Sequence, residues 1–305
     1  MVQATRITTN RIAVVFDFDE TLTPKDSFAV LLESCGFDPE AFKKNRVQAL
    51  TDQGWEKYLA RAYTLVKEAQ QRAGSITKDK LAEVGRNIQL YKGTEDLFAR
   101  LQRRIHGISE DIDLEFYLIS GGFADIPRNT AIAKDFKQMW GCELHYNEAG
   151  AVEFIKRQMT HTEKTRYLYY LSEGIKESDN DKDLIYNYSS RQTKDLHVPL
   201  SQVVYVGDGA SDVPCFDAIN QYGGMAIGIY PEGSSVEDWK YMENISEEQR
   251  LSNLVSAGFE EDSDLMQSLY LCVECIAKQI VLSQLKERNS AREERSSRTE
   301  KERNG

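Results

Sequence analysis

Cysteine is scarce in this chain and follows no framework. Five residues, an odd number at irregular spacing, exclude a small fold built on disulfides and fit the reduced thiols of a cytosolic protein. Only Cys272 and Cys275 approach metal-ligand spacing. With no second pair and a helical pattern around them, they read as buried core thiols rather than zinc ligands. Long apolar runs are lacking too. No basic-then-apolar leader stands before Arg11, so no signal or transit peptide is read there. The most apolar stretch, Leu265 to Leu285, is interrupted by Glu274 and Lys278, which argues against a lipid-facing span. Basic charge is also in short supply: 38 Lys and Arg against 49 Asp and Glu leave a net charge of -11. That balance disfavours a nucleic-acid partner, and it requires any bound anion to find a local cation or aimed backbone amides. The expectation is a soluble cytoplasmic protein with no membrane or nucleic-acid partner.

At 305 residues and 41% hydrophobic, the chain can bury one sizeable core with room for a second small domain. Short apolar runs alternate with helical periodicity, the pattern of an α/β fold with a mostly parallel sheet covered on both faces. Ile12 to Phe16, Phe116 to Ile119, Val203 to Val206 and Met225 to Ile229 read as buried strands. Each of the first three runs directly into polar chemistry: "DFDET", "SGG" and "GDGASD". Ligands of open parallel sheets sit beyond the carboxyl ends of the strands, so these three segments are expected to converge.

Between the first two strands lies a helical region too long for one crossover helix. Asp26 and Ser27 are capping residues for a helix through Glu33, and Glu40 to Leu50 and Trp55 to Arg72 have helical apolar spacing. The domain reading is an α/β core formed by 1–25 and 92–288, an inserted helical domain at 26–91, and a charged tail at 289–305 that is either disordered or a solvated helix end. A helix after "SGGF" and a hairpin turning at Glu148 to Gly150 fill the stretch before Lys164. Ile175 to Pro199 reads as an irregular surface excursion, and Asp264 to Leu285 as one amphipathic helix.

If the strand ends are neighbours, Asp17, Asp19, Asp208 and Asp212 gather in one cleft with a single candidate lysine. Two unit charges about 4 Å apart interact with roughly 4 kcal/mol at an effective dielectric near 20, so such a cluster needs a cation. Oxygen ligands without His or Cys select a hard ion, Mg²⁺ rather than Ca²⁺ when few carboxylates share it with a phosphate.

Asp17-Phe18-Asp19-Glu20-Thr21, Ser120 with Gly121 and Gly122, Lys164, and Gly207-Asp208-Gly209-Ala210-Ser211-Asp212 resemble the four ordered motifs of the haloacid dehalogenase (HAD) superfamily. The chain is most similar to its phosphoserine-phosphatase-like hydrolases, and the resemblance covers roughly Arg11 to Tyr230. It implies a Rossmannoid core with a helical cap after the first motif, and a Mg²⁺-dependent phosphatase acting on a small phosphorylated metabolite.

It also implies roles. Asp17 is the nucleophile that takes the phosphoryl group, and Asp19 the acid and base that serves the leaving oxygen and then water. Mg²⁺ is held by Asp17, the main-chain carbonyl of Asp19 and Asp208, with Asp212 behind them. Thr21, Ser120, Gly121 and Lys164 bind phosphate, helped by the Phe18 amide. In the cap, Asp26 stands where phosphoserine-acting relatives place a glutamate for the amino group. Arg46 and Arg61 are candidates for a substrate carboxylate or second phosphate, Trp55 is expected in the cap core, and His161 at the surface or beside a helix cap. A dehalogenase has no use for Asp19 or Asp208, and a transporting ATPase carries threonine in place of Asp19. The alternative from another class is a binding or regulatory module that keeps the fold without turnover.

Overall fold

A computed structural model of the chain describes residues 9–72, 74–176, 196–234 and 251–303. Seven strands form one sheet in the order β4-β3-β2-β1-β5-β6-β7. They are β1 (Arg11–Phe16), β2 (Asp113–Phe123), β3 (Gln138–Tyr146), β4 (Val152–Arg157), β5 (Val203–Gly207), β6 (Met225–Tyr230) and β7 (Asn253–Ser256). All neighbours pair in parallel except β3 and β4, which form the antiparallel hairpin expected from the sequence. β1 lies at the centre, and Ile12 to Phe16 are wholly buried. A strand covered on both faces and paired on both edges has no polar side, which is why its sequence is a continuous apolar run.

Nine helices are described: α1 (Ser27–Ser34), α2 (Pro39–Phe42), α3 (Gln48–Thr51), α4 (Lys57–Gln71), α5 (Lys78–Asn87), α6 (Thr94–His106), α7 (Glu163–Glu173), α8 (Val213–Gln221) and α9 (Asp264–Arg303). The first six stand between β1 and β2, with α2 and α3 joined at Lys43–Val47 by a wider π-type turn. α6 buries Leu97, Phe98, Leu101 and Ile105, and Phe98 meets Phe16, Phe116 and Phe136 edge to face.

α9 is long and apolar enough to cross a membrane, but 56% of its apolar window is buried inside the protein. Leu265, Leu269, Val273, Ile276 and Ile280 recur at helical spacing and are buried, so the helix is accounted for as part of the core.

Four expectations are corrected. No α-helix stands between Phe123 and β3 among the described residues: β2 itself runs through the "SGGF" segment, and two short 3₁₀ turns, Pro127–Asn129 and Ala133–Asp135, lead into β3. Pro127 has no N–H for a helix ladder, and Thr130 closes the turn by donating its hydroxyl to the Pro127 carbonyl at 2.8 Å. The charged tail is not disordered through 289–303, because α9 continues to Arg303; no glycine or proline interrupts it from Asp264 onward. Trp55 is no core residue. It is 36% exposed and packs on Tyr63, since it precedes α4 instead of lying on its buried face. Cys272 is buried as expected, but Cys275 is exposed, three positions round the same helix. The excursion read at Ile175 to Pro199 lies for the most part outside the described residues.

Candidate active site

The first loop is fixed by backbone bonds. The Asp17 amide donates to the Val206 carbonyl at 3.0 Å, extending the β1–β5 pairing by one residue. Thr21, Leu22 and Thr23 then all turn their amides back to the Phe18 carbonyl. Glu20, at φ 57°, is the one non-glycine residue with left-handed backbone among those described. Such a conformation costs on the order of 1 kcal/mol, and it lets the chain reverse within this short loop. The Ser27 amide, at the start of α1, donates to Asp19 Oδ1 at 2.7 Å and holds that carboxyl in place.

The second segment is shaped by a break in register. Ile119 pairs with Trp140 and Phe123 with Cys142, so four steps along β2 oppose two along β3. The surplus lifts Ser120, Gly121 and Gly122 out of the ladder. Ser120 is buried, and its Oγ accepts the Gly122 amide at 3.0 Å. A Cβ on Gly122 would lie 2.7 Å from Asp19 Oδ2, and one on Gly121 would lie 2.8 Å from the Tyr58 ring. Both glycines are therefore required by close approach.

The third and fourth segments meet at a buried lysine. Lys164, in the first turn of α7, is 1% exposed. Its Nζ stands 3.1 Å from Asp17 Oδ1, 2.8 Å from Asp212 Oδ1 and 3.1 Å from Ser211 Oγ. Tyr205 donates its hydroxyl to the same Asp212 oxygen at 2.6 Å, and the Gly209 amide reaches Asp212 Oδ2 at 3.4 Å. Asp208 Oδ1 accepts from the Thr21 hydroxyl at 3.4 Å. The strand ends thus converge as the sequence predicts.

Burial dominates the electrostatics. It pushes Asp17 up to about 6 against the pull of Lys164, and Asp19 up to about 7 with help from the Asp26 charge. Asp208 rises well above the carboxylate range, through burial first and then through Asp17 and Asp212. Lys164 is raised too, because the attraction of Asp17 and Asp212 outweighs its desolvation.

One ammonium cannot balance this cluster. Asp17, Asp208 and Asp212 can offer carboxylate oxygens within 4.8 Å of one another. Asp17 Oδ1 is buried and makes no hydrogen bond; its contact with Lys164 is an ion pair alone. An all-oxygen, electron-rich set of this kind fits a hard divalent cation.

The cleft of about 130 Å³ is lined by Asp17, Asp19, Glu20, Asp208 and Ser211 on one side. Asp26, Lys57, Tyr58, Arg61 and His161 line it on the other. A larger cavity of about 1030 Å³ opens elsewhere, between Tyr117, Lys137 and Lys156. It holds none of the four motifs, so chemistry rather than size locates the candidate site.

The sequence candidates separate as follows. Asp17, Asp19, Gly121 and Asp208 line the cleft; Thr21, Ser120, Lys164 and Asp212 stand directly behind it. Arg61 and Asp26 line it from the helical side, paired at 3.3 Å. Arg46 does not: it pairs with Glu68 and lies over the Phe42 ring, outside the cleft wall. His161 stands next to Thr162, the N-cap of α7, as one of its two readings has it, and it also lines the cleft and meets Tyr58 edge to face at 5.4 Å. Burial and the Lys164 charge hold its pKa below the usual histidine value. Lys57 and Tyr58 are further additions, brought in because Glu56 caps α4 by accepting the Tyr58 and Leu59 amides at 3.0 and 2.7 Å.

No known family model matches the chain. An uncharacterized protein of Borreliella burgdorferi is 26% identical over 239 residues, which is 69% of this chain and 79% of that protein. Among solved structures, a HAD family hydrolase from Salmonella enterica serovar Typhi matches at TM-score 0.55 and 13% identity, over 89% of this chain and 74% of that one. A probable phosphoserine phosphatase from Vibrio cholerae matches at TM-score 0.53 and 15% identity, over 93% and 69%. A phosphoserine phosphatase held as an analogue of its phospho-aspartyl intermediate matches at TM-score 0.50 and 17% identity, over 86% and 99%. At these identities the likeness is one of fold. The chain has the α/β fold of the HAD hydrolases, in the form shared with phosphoserine phosphatases.

Proposed function

We propose that the protein is a phosphomonoester hydrolase that uses Mg²⁺ and acts on a small metabolite through a phosphoryl group carried on Asp17. The observation that supports this most is the position of Lys164, buried and shared between Asp17 and Asp212 where three strand ends meet Asp208. In this reading the helices of 26–91 act as a cap over the cleft.

Asp17 attacks phosphorus with a carboxylate oxygen while the bond from phosphorus to the leaving oxygen breaks. Its pKa of about 6 leaves it ionised at neutral pH. Asp19, near 7, keeps a proton in part of the population and passes it to the leaving oxygen. In the second half Asp19 takes a proton from water, the water oxygen attacks phosphorus, and phosphate leaves with Asp17 restored. Lys164 orients Asp17 and balances the transferring phosphoryl charge, Ser120 and the Gly121 amide supply hydrogen bonds, and Thr21 holds Asp208 through its hydroxyl. Asp17, Asp208 and the main-chain carbonyl of Asp19 are the donors for Mg²⁺. Asp212, whose oxygens are already engaged by Lys164, Tyr205 and Gly209, holds the arrangement from behind. Once bound, the ion neutralises carboxylate against phosphate.

Incubation with p-nitrophenyl phosphate, with Mg²⁺ or with EDTA, tests the reading. Release of nitrophenol that requires the ion and is lost in Asp17→Asn supports it. Turnover that survives chelation, or persists in Asp17→Asn, contradicts it.

A further inference from the structure

The helical side of the cleft contributes one acidic residue, Asp26, and that residue is already engaged. Its Oδ1 caps α1 by accepting the Phe28 amide at 3.0 Å. Its Oδ2 takes two cations at once, Lys43 Nζ at 3.1 Å and Arg61 Nη2 at 3.3 Å. Arg61 is fixed further by the Phe28 and Tyr58 rings, 5.3 and 5.6 Å from its guanidinium carbon. Lys43 is not itself a wall of the cleft. It reaches Asp26 from behind, from the π-type turn between α2 and α3. Lys57 stands on the same wall and makes no ion pair with an acidic group among the described residues.

On this side, then, three cations answer one carboxylate. An ammonium on a bound molecule would meet a carboxylate whose charge is spent and the fixed charges of Arg61 and Lys57. A carboxylate or hydroxyl in the same place would meet donors. The cleft of about 130 Å³ is smaller than the usual range of ligand pockets, roughly 300–1,000 Å³, so the group that enters is short.

We propose that Lys43 sets specificity by lending its own ammonium to Asp26, so that the phosphoester used here is a short one bearing a carboxylate or hydroxyl, and no ammonium, beside the phosphate. The proposal rests on the hydrolase reading above and fixes the substrate class for that same cleft. Lys43 acts through Asp26 and is a positioning residue.

The test is a matched set of esters with Mg²⁺ present: 2-phosphoglycolate, glycerol phosphate and O-phosphoethanolamine, with p-nitrophenyl phosphate to report on hydrolysis in general. In the wild type, kcat/KM for O-phosphoethanolamine is expected below that for 2-phosphoglycolate by about tenfold or more. In Lys43→Gln, which frees Asp26 from one cation, that ratio is expected to narrow, mainly through KM. Circular dichroism and the thermal unfolding transition confirm that the variant is folded. Equal or preferred use of the ammonium ester by the wild type overturns the proposal, as does a ratio unchanged in a folded Lys43→Gln. Failure of every ester in the set, p-nitrophenyl phosphate included, to turn over in the wild type overturns the hydrolase reading and this proposal together, and so is told apart from failure of the proposal alone.

Discussion

Gly207 leaves bare the space into which the Asp212 carboxyl folds: a Cβ at Gly207 would lie 2.4 Å from Asp212 Cγ. The glycine ends β5, the aspartate stands just before α8, and between them the Gly209 carbonyl receives the Asp212 amide at 2.9 Å. A tight loop is thus pinned against its own strand, and it carries Asp208 to the cleft.

Gly207→Ala is expected to displace Asp212 and with it Lys164. Inserting a methyl group where the structure has no room costs about 1–3 kcal/mol. Urea unfolding should show that loss of stability, together with a weaker response to Mg²⁺. A variant as stable and as Mg²⁺-responsive as the wild type would contradict the packing.

Lys164→Met should be more damaging. It removes the ammonium from between Asp17 and Asp212, and breaking a buried pair by deleting one partner costs about 3–5 kcal/mol. The loss should shrink at low pH, where Asp17, raised to about 6, can protonate, and this can be followed by unfolding at pH 5 and pH 7.5.

The metal-free protein has a pH dependence whose sign follows from burial. Asp17 and Asp19 move from an ordinary 3.8 to about 6 and about 7 in the fold. Between these values the folded chain binds more protons than the unfolded one, so stability falls as pH rises from about 4 to about 7. Thermal melts in EDTA should show this decline. Added Mg²⁺ should raise the melting temperature more at pH 7.5 than at pH 5.

Asp19→Asn should separate esters by leaving group. A poor alkoxide leaving group needs the proton that Asp19 carries, whereas nitrophenolate does not. Hydrolysis of glycerol phosphate is expected to fall by about 10²–10⁴-fold, and phosphorylation of the protein by p-nitrophenyl phosphate to fall less. Equal losses in both first steps would remove Asp19 from the role of acid.

The central fold was legible because its chemistry is written in short contiguous pieces: a buried strand, then polar residues at its end. β1 and β5 are apolar on both faces, and parallel pairing alone carries Asp17 and Asp208 to the same edge. Lys164 could be singled out by motif position. Its burial could not, because that depends on Tyr205 and Asp212 from a distant strand end. Tyr58 and His161 were illegible as a pair for the same reason, since only the seating of α4 on the raised Gly121 brings them together. The Asp26 site shows the reverse. Its position was readable, but Lys43 lies in an irregular turn whose geometry no periodicity predicts.

The proposed reaction requires that Asp17 itself receive the phosphoryl group. Wild-type protein mixed with p-nitrophenyl phosphate and Mg²⁺, quenched in acid and digested, should yield a peptide spanning Asp17 that is heavier by one phosphoryl group. That mass should be missing from Asp17→Asn and from samples held in EDTA. Active protein whose Asp17 peptide is never modified, or whose phosphoryl group sits on another residue, would contradict it.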